Sequence, residues 1–205
     1  AYNIASGGSN NTLLGTRAGF SCANNHNTYI GSYTGYSSTS ATNGVFLGYE
    51  TGYNVTTGDA NTLVGTRAGK ALTTGNSNVL VGYLSGTAIT TGYHNTFVGN
   101  SSGDALTDGY QNVGFGHSAL TDLTTGDQNQ AVGSAALMAV TTGNSNAGFG
   151  YRAGRRLTTG NSNILIGHDA GEFLTTGSNN IASLVANNLT ASFIPFVGIP
   201  YPSPT

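Results

Sequence analysis

Asn61-Thr62-Leu63-Val64-Gly65-Thr66-Arg67-Ala68-Gly69-Lys70-Ala71-Leu72-Thr73-Thr74-Gly75-Asn76-Ser77 is followed at once by Asn78-Val79-Leu80-Val81-Gly82, and the pattern begins again. The glycine that ends the short apolar run recurs at Gly15, Gly31, Gly48, Gly65, Gly82, Gly99, Gly116, Gly133, Gly150 and Gly167, first after 16 residues and then always after 17. Asparagine stands four residues before each glycine except at Gly44, and Asn180 extends that column. The residue just before the glycine is apolar every time, from Leu14 to Ile166. Three residues after it the column is small, and seven residues after it Val55, Leu72, Ile89, Leu106, Leu123, Val140, Leu157 and Leu174 lead into Thr-Thr-Gly or its variant Thr107-Asp108-Gly109.

A fixed period of this length is the signature of a repeat architecture, and it is too short for helix-pair repeats of about 33 residues or more. No stretch holds a 3.6-residue apolar stripe, and a glycine costs a helix interior roughly 1 kcal/mol. Short strands fit instead. One runs from the Asn to the Gly, and a weaker extended piece spans Leu72-Thr73-Thr74. Glycine supplies the positive φ that tight corners demand. One coil cannot bury its own apolar columns, but stacked coils can. The chain therefore reads as all-β: a parallel β-solenoid, or β-roll, of about ten 17-residue coils. At a strand spacing of about 4.8 Å, the rod is about 50 Å long. Residues 1–180 form the solenoid, with irregular first coils in 1–44, and 181–205 form an apolar, proline-rich tail that caps the last coil or docks on a neighbour.

Like residues then lie above one another, and stacked asparagines can form amide ladders. If Val64 points in, strand alternation turns Thr62 in and Leu63 out. On that reading Leu13, Tyr29, Phe46, Leu63, Leu80, Phe97 and Leu165 form an exposed apolar column. Together with Phe193 and Phe196 of the tail they are the candidate self-association residues. Such a line calls for a partner, and the simplest partner is another copy of the chain.

Composition narrows the function. Charged residues are 7%, the net charge is −2, and Lys70 is the only lysine. Nothing there attracts nucleic acid or an anionic membrane. No run approaches the roughly 20 apolar residues of a spanning helix. Cys22 stands alone, so it is a buried small side chain or pairs between chains. Gly99-Asn100-Ser101-Ser102-Gly103 matches a nucleophile elbow, but both glycines belong to repeat columns. His26, His94, His117 and His168 share no single column, whereas a metal site needs three or four converging ligands. No catalytic residue, metal or cofactor is expected. Tyr49, Tyr83 and Tyr151 fall near corners and are candidate glycan contacts, since tyrosine offers an apolar face with a polar tip.

Units such as Asn95-Thr96-Phe97-Val98-Gly99 and Leu157-Thr158-Thr159-Gly160-Asn161-Ser162-Asn163 resemble the head repeats of trimeric autotransporter adhesins. With Gly116-His117-Ser118-Ala119-Leu120 leading into Leu123-Thr124-Thr125-Gly126, they resemble still more the Thr-Thr-Gly repeats of phage tail-fibre proteins. The resemblance covers residues 11–180. It implies a left-handed parallel roll, often trimeric, displayed on a cell or virion surface. The adhesin heads have a shorter repeat, and no coiled-coil stalk, anchor barrel or self-cleaving domain is seen here. The expected function is that of a non-enzymatic, extracellular structural or adhesive fibre, built as a homo-oligomer, trimer or filament. The alternative is a glycan-binding receptor-recognition module. Ice binding by the threonine columns is a third and weaker reading, because adjacent residues of a strand face opposite ways.

Overall fold

The structure is a computed structural model that describes residues 8–183 and 194–195. It is a parallel β-solenoid, one coil per 17-residue repeat. The strands are three residues long: β1 (Thr12–Leu14), β2 (Thr28–Ile30), β3 (Val45–Leu47), β4 (Thr62–Val64), β5 (Val79–Val81), β6 (Thr96–Val98), β7 (Val113–Phe115), β8 (Gln130–Val132), β9 (Ala147–Phe149) and β10 (Ile164–Ile166). β11 (Asn180–Ser183) continues the stack and β12 (Ile194–Pro195) ends it. Neighbours in sequence are neighbours in one sheet, in strict register: Leu63 lies beside Leu80 and Leu80 beside Phe97. Coils are numbered here by their strand.

Each strand has room for one inward side chain, and the structure corrects the expected polarity. The central residue points in, and both flanking residues point out. Tyr29, Phe46, Leu63, Leu80, Phe97 and Leu165 are fully buried, and Leu13 packs against the same core. The supposed exposed column is thus the core itself, and its seven members are no association surface. The reason is parity. The asparagine four before the glycine is buried, so alternation buries the residue two places on, and Thr62 and Val64 must face outward. Phe193 and Phe196 lie outside the described residues.

The rest of each coil follows from the other columns. The small residues from Ala18 to Ala170 and the aliphatic column from Val55 to Leu157 fill the interior opposite the sheet. Leu72-Thr73-Thr74 is a bend rather than a strand, although Thr73 N–H still bonds to the Thr90 carbonyl of the next coil at 2.9 Å. At the corner, Gly99 has φ +141°, and a Cβ there would strike the carbonyl of Gly116 one coil away. Backbone at successive coils touches backbone, so this column admits only glycine.

Coils 7 to 9 are filled differently. The strand centre shrinks to Gly114, Ala131 and Gly148, and the corner column, glycine in the neighbouring coils, becomes Leu120 and Leu137. Both leucines are fully buried with φ +55° and +48°. A left-handed leucine costs about 1–2 kcal/mol, which burying the side chain offsets at about 2 kcal/mol. Core volume is conserved by supplying it from the corner instead of the strand. A Cβ on Gly148 would meet Leu137 Cγ at 2.7 Å, so the two positions compete for one space. Leu137→Gly should therefore cost about 2–4 kcal/mol through the cavity it leaves, and Gly148→Leu alone about 1–3 kcal/mol through overpacking. The double variant should recover most of the loss in a urea-unfolding cycle; additive losses would show that the residues do not share a site.

At the far end β12 pairs with β11 antiparallel, Asn180 opposite Pro195 and Ile181 opposite Ile194. Among the described residues of the tail, Ile194 and Pro195 thus pair with the last strand of the stack.

Candidate functional site

The dominant polar feature is internal. From Asn61 to Asn163 the buried asparagines form one continuous column, which the half-buried Asn180 extends. At Asn112, the backbone N–H and Nδ2 donate to Asn95 Oδ1 at 3.0 and 3.2 Å, and Nδ2 also donates across the coil to the Gly126 carbonyl at 2.9 Å. Its own Oδ1 accepts from Asn129 N–H and Nδ2 at 2.9 and 3.2 Å. Every amide hydrogen and the side-chain oxygen are used, which is what makes so buried a polar column tolerable. Gly44 interrupts it, and there the Gly44 N–H alone donates to Asn27 Oδ1 at 2.8 Å. This column is structural rather than reactive.

A threonine column runs along the outside of the bend. Thr73 Oγ1 donates to the Thr90 carbonyl at 3.0 Å, and Thr90 repeats the bond to Thr107 at 3.1 Å. The second threonine of each pair, such as Thr74, is exposed. Only one threonine of each such pair thus has its hydroxyl turned freely to water, a single file rather than a broad array.

The residues of the apparent elbow hold the stack together. Ser102 is buried and its Oγ donates to the Gly114 carbonyl at 3.1 Å, while Ser101 sits in the corner turn at φ +51°. The four histidines are exposed and on different coils, and among the described residues no three His, Cys, Asp or Glu side chains are grouped to hold a metal. Cys22 is buried in the aliphatic column, where burial pushes its thiol up. Arg67 Nε and Lys70 Nζ reach Glu50 Oε2 at 3.0 and 2.8 Å. The hydrogen bond from Lys70 holds the Glu50 carboxyl below the usual range. That small edge pairing therefore weakens as pH falls through the lowered value.

Asp104 behaves oppositely. Partial burial raises its pKa, and Asp122 on the next coil adds to the effect. A raised carboxyl pKa costs stability above it and relieves that cost when the proton binds. Asp104→Asn should raise the melting temperature at pH 7 by a few degrees and change nothing near pH 3; a fall at pH 7 would show that the carboxylate holds the corner.

Two groups of corner aromatics differ in what they touch, although Tyr151 of the first group has Arg152 4.7 Å over its ring and His168 5.0 Å away. Tyr49, Tyr83 and Tyr151 occupy one outward column and are 44%, 50% and 41% exposed, on coils 3, 5 and 9. Phe20, Tyr36 and Tyr53 instead stack on each other along another corner, centroids 5.0 Å apart at each step, with Lys70 5.9 Å from the last ring. Their faces are spent on one another.

The feature that sequence reading misplaced is the outer face of the sheet. One of its columns is Leu14, Ile30, Leu47, Val64, Val81, Val98, Phe115, Val132, Phe149 and Ile166, and the other is the mixed series Thr12, Thr28, Val45, Thr62, Val79, Thr96, Val113, Gln130, Ala147 and Ile164. Neither contains a charge. Phe115 is 56% exposed and Ile166 50%. The asparagine parity was the available signal. Comparison with known proteins finds no matching family model, no matching curated protein and no matching solved structure.

Proposed function

We propose that the chain is a non-enzymatic structural and adhesive module of an extracellular fibre, displayed on a cell or virion surface, and that it assembles with further copies through the outer face of its sheet. One observation carries this reading: two uncharged columns, one apolar in every coil, run the length of the solenoid on its outside. Contiguous apolar surface of this kind marks an interface. The partner with matching ridges every ~4.8 Å is another such sheet. The antiparallel β12 lies where a further parallel strand would pair, which favours sideways association over end-to-end stacking. The resemblance to adhesin heads and tail fibres points the same way, with a trimer as its form. Light scattering and electron microscopy of the intact chain at micromolar concentration should give a discrete oligomer or bundled rods; a monodisperse monomer would overturn the proposal.

A second reading has its own support in the shared outward column of Tyr49, Tyr83 and Tyr151. Surface glycans would stack on those rings, and a glycan array on which the triple alanine variant binds as well as the parent would dismiss it.

A further inference from the structure

We infer that the second copy of the chain is anchored at coils 7 to 9, on a patch made by Phe115, Val132 and Phe149 beside Val113; this rests on the assembly reading above. Aromatic residues of the earlier strands point inward, and Tyr29, Phe46 and Phe97 are fully buried. In β7 and β9 the order is inverted: glycine takes the centre, and phenylalanine takes the outward place that Ile, Leu or Val holds in coils 2 to 6. The inversion comes with a leucine in left-handed backbone at coils 7 and 8, where neighbouring coils use glycine. The leucines refill the core that the strand glycines empty, but nothing in the core calls for phenylalanine on the outside of the same coils. Exposed rings that internal packing does not require are a departure from local rules of the kind found at functional surfaces.

The occupant follows from size and spacing. Ten coils at ~4.8 Å and three residues at ~3.3 Å make a face of about 500 Å², so a pair buries about 1,000 Å². That is the lower bound for a specific interface, and at the lower bound affinity depends on a few desolvated aromatic anchors. The face carries no charge that would select a charged partner, and its ridges repeat at the spacing of its own copies.

The test is sedimentation of the full chain as four proteins. Phe115→Ser/Phe149→Ser should raise the dissociation constant at least tenfold, with circular dichroism and melting near wild type, because both rings lie outside the core. Val64→Ser/Val81→Ser, in the same column at coils 4 and 5, should raise it less than about threefold. Equal effects of the two pairs overturn the anchor and leave the assembly reading standing. A monomeric wild type, whether tail 181–205 or nothing covers the patch, overturns both. The fourth protein, Val132→Cys, needs no change in stability to report. Its only other thiol, Cys22, is buried. Maleimide labelling should be slow in the oligomer and fast after dilution to monomer; fast labelling of the intact oligomer places the contact elsewhere.

Discussion

Asn112→Leu is expected to lower the stability of the fold by about 4 kcal/mol. Leucine keeps the branching and heavy-atom count of asparagine but not its polar atoms, so lost hydrogen bonding dominates, with some overpacking from the bulkier methyls. Asn95 Oδ1 keeps the backbone N–H of residue 112 but loses the Nδ2 donor, the Gly126 carbonyl loses its side-chain donor, and Asn129 loses the acceptor of its N–H outright and one of the two acceptors of its Nδ2. Each buried polar group stranded in this way costs about 1–3 kcal/mol. Water cannot repair the damage, since Asn112 and its neighbours in the column have no exposed surface. Urea unfolding would measure the loss, and amide exchange would show it concentrated in coils 6 to 8, because a solenoid's coils depend chiefly on their neighbours. A change below about 1 kcal/mol would mean that the column is ornamental.

Gly99→Ala should be comparably severe for a steric reason. The residue holds φ +141°, a region closed to a side chain, and the new methyl would drive into the Gly116 backbone. Strain of about 1–3 kcal/mol adds to the overpacking. Gly86→Ala is the informative control. Its φ is +55°, the same left-handed region that Leu120 and Leu137 tolerate in that column, and a Cβ there meets only movable side-chain ends of Ile89 and Leu80. Its cost should be about 1 kcal/mol. If thermal melting ranked the two alanine variants equally, the inter-coil backbone contact would not be what fixes the coil spacing.

These contrasts explain what could be read in advance. The period, the stacking, the amide column and the small inner column all follow from residue identity, because stacking places like upon like. Polarity did not follow, because two apolar columns flank each other and only one lies inside. The column before the glycine is apolar in every coil and so reads as the core. The true core column tolerates Tyr29, Phe97 and Gly114 in turn, since Leu120 and Leu137 make up the missing volume from another part of the coil. Regularity there marks a uniform surface; variety marks a packed interior with internal compensation. The left-handed φ of residues such as Arg67 and Ser77 was also hidden, because nothing in their chemistry requires it. The surface proposed for association lies accordingly one residue along every strand from where the sequence puts it.

The strict spacing of the amide bonds has an evolutionary corollary. Excising residues 78–94, or copying them in tandem, rejoins donors to acceptors with no frame error, so mutation by unequal recombination is nearly free of penalty. A residue lost from within a strand would instead reverse its alternation, whereas the 16-residue first coil takes up its missing residue outside the strands and keeps Thr12 beside Thr28. Gene length in this lineage should consequently drift in multiples of 51 bases, giving rods of many reaches from one unchanged design.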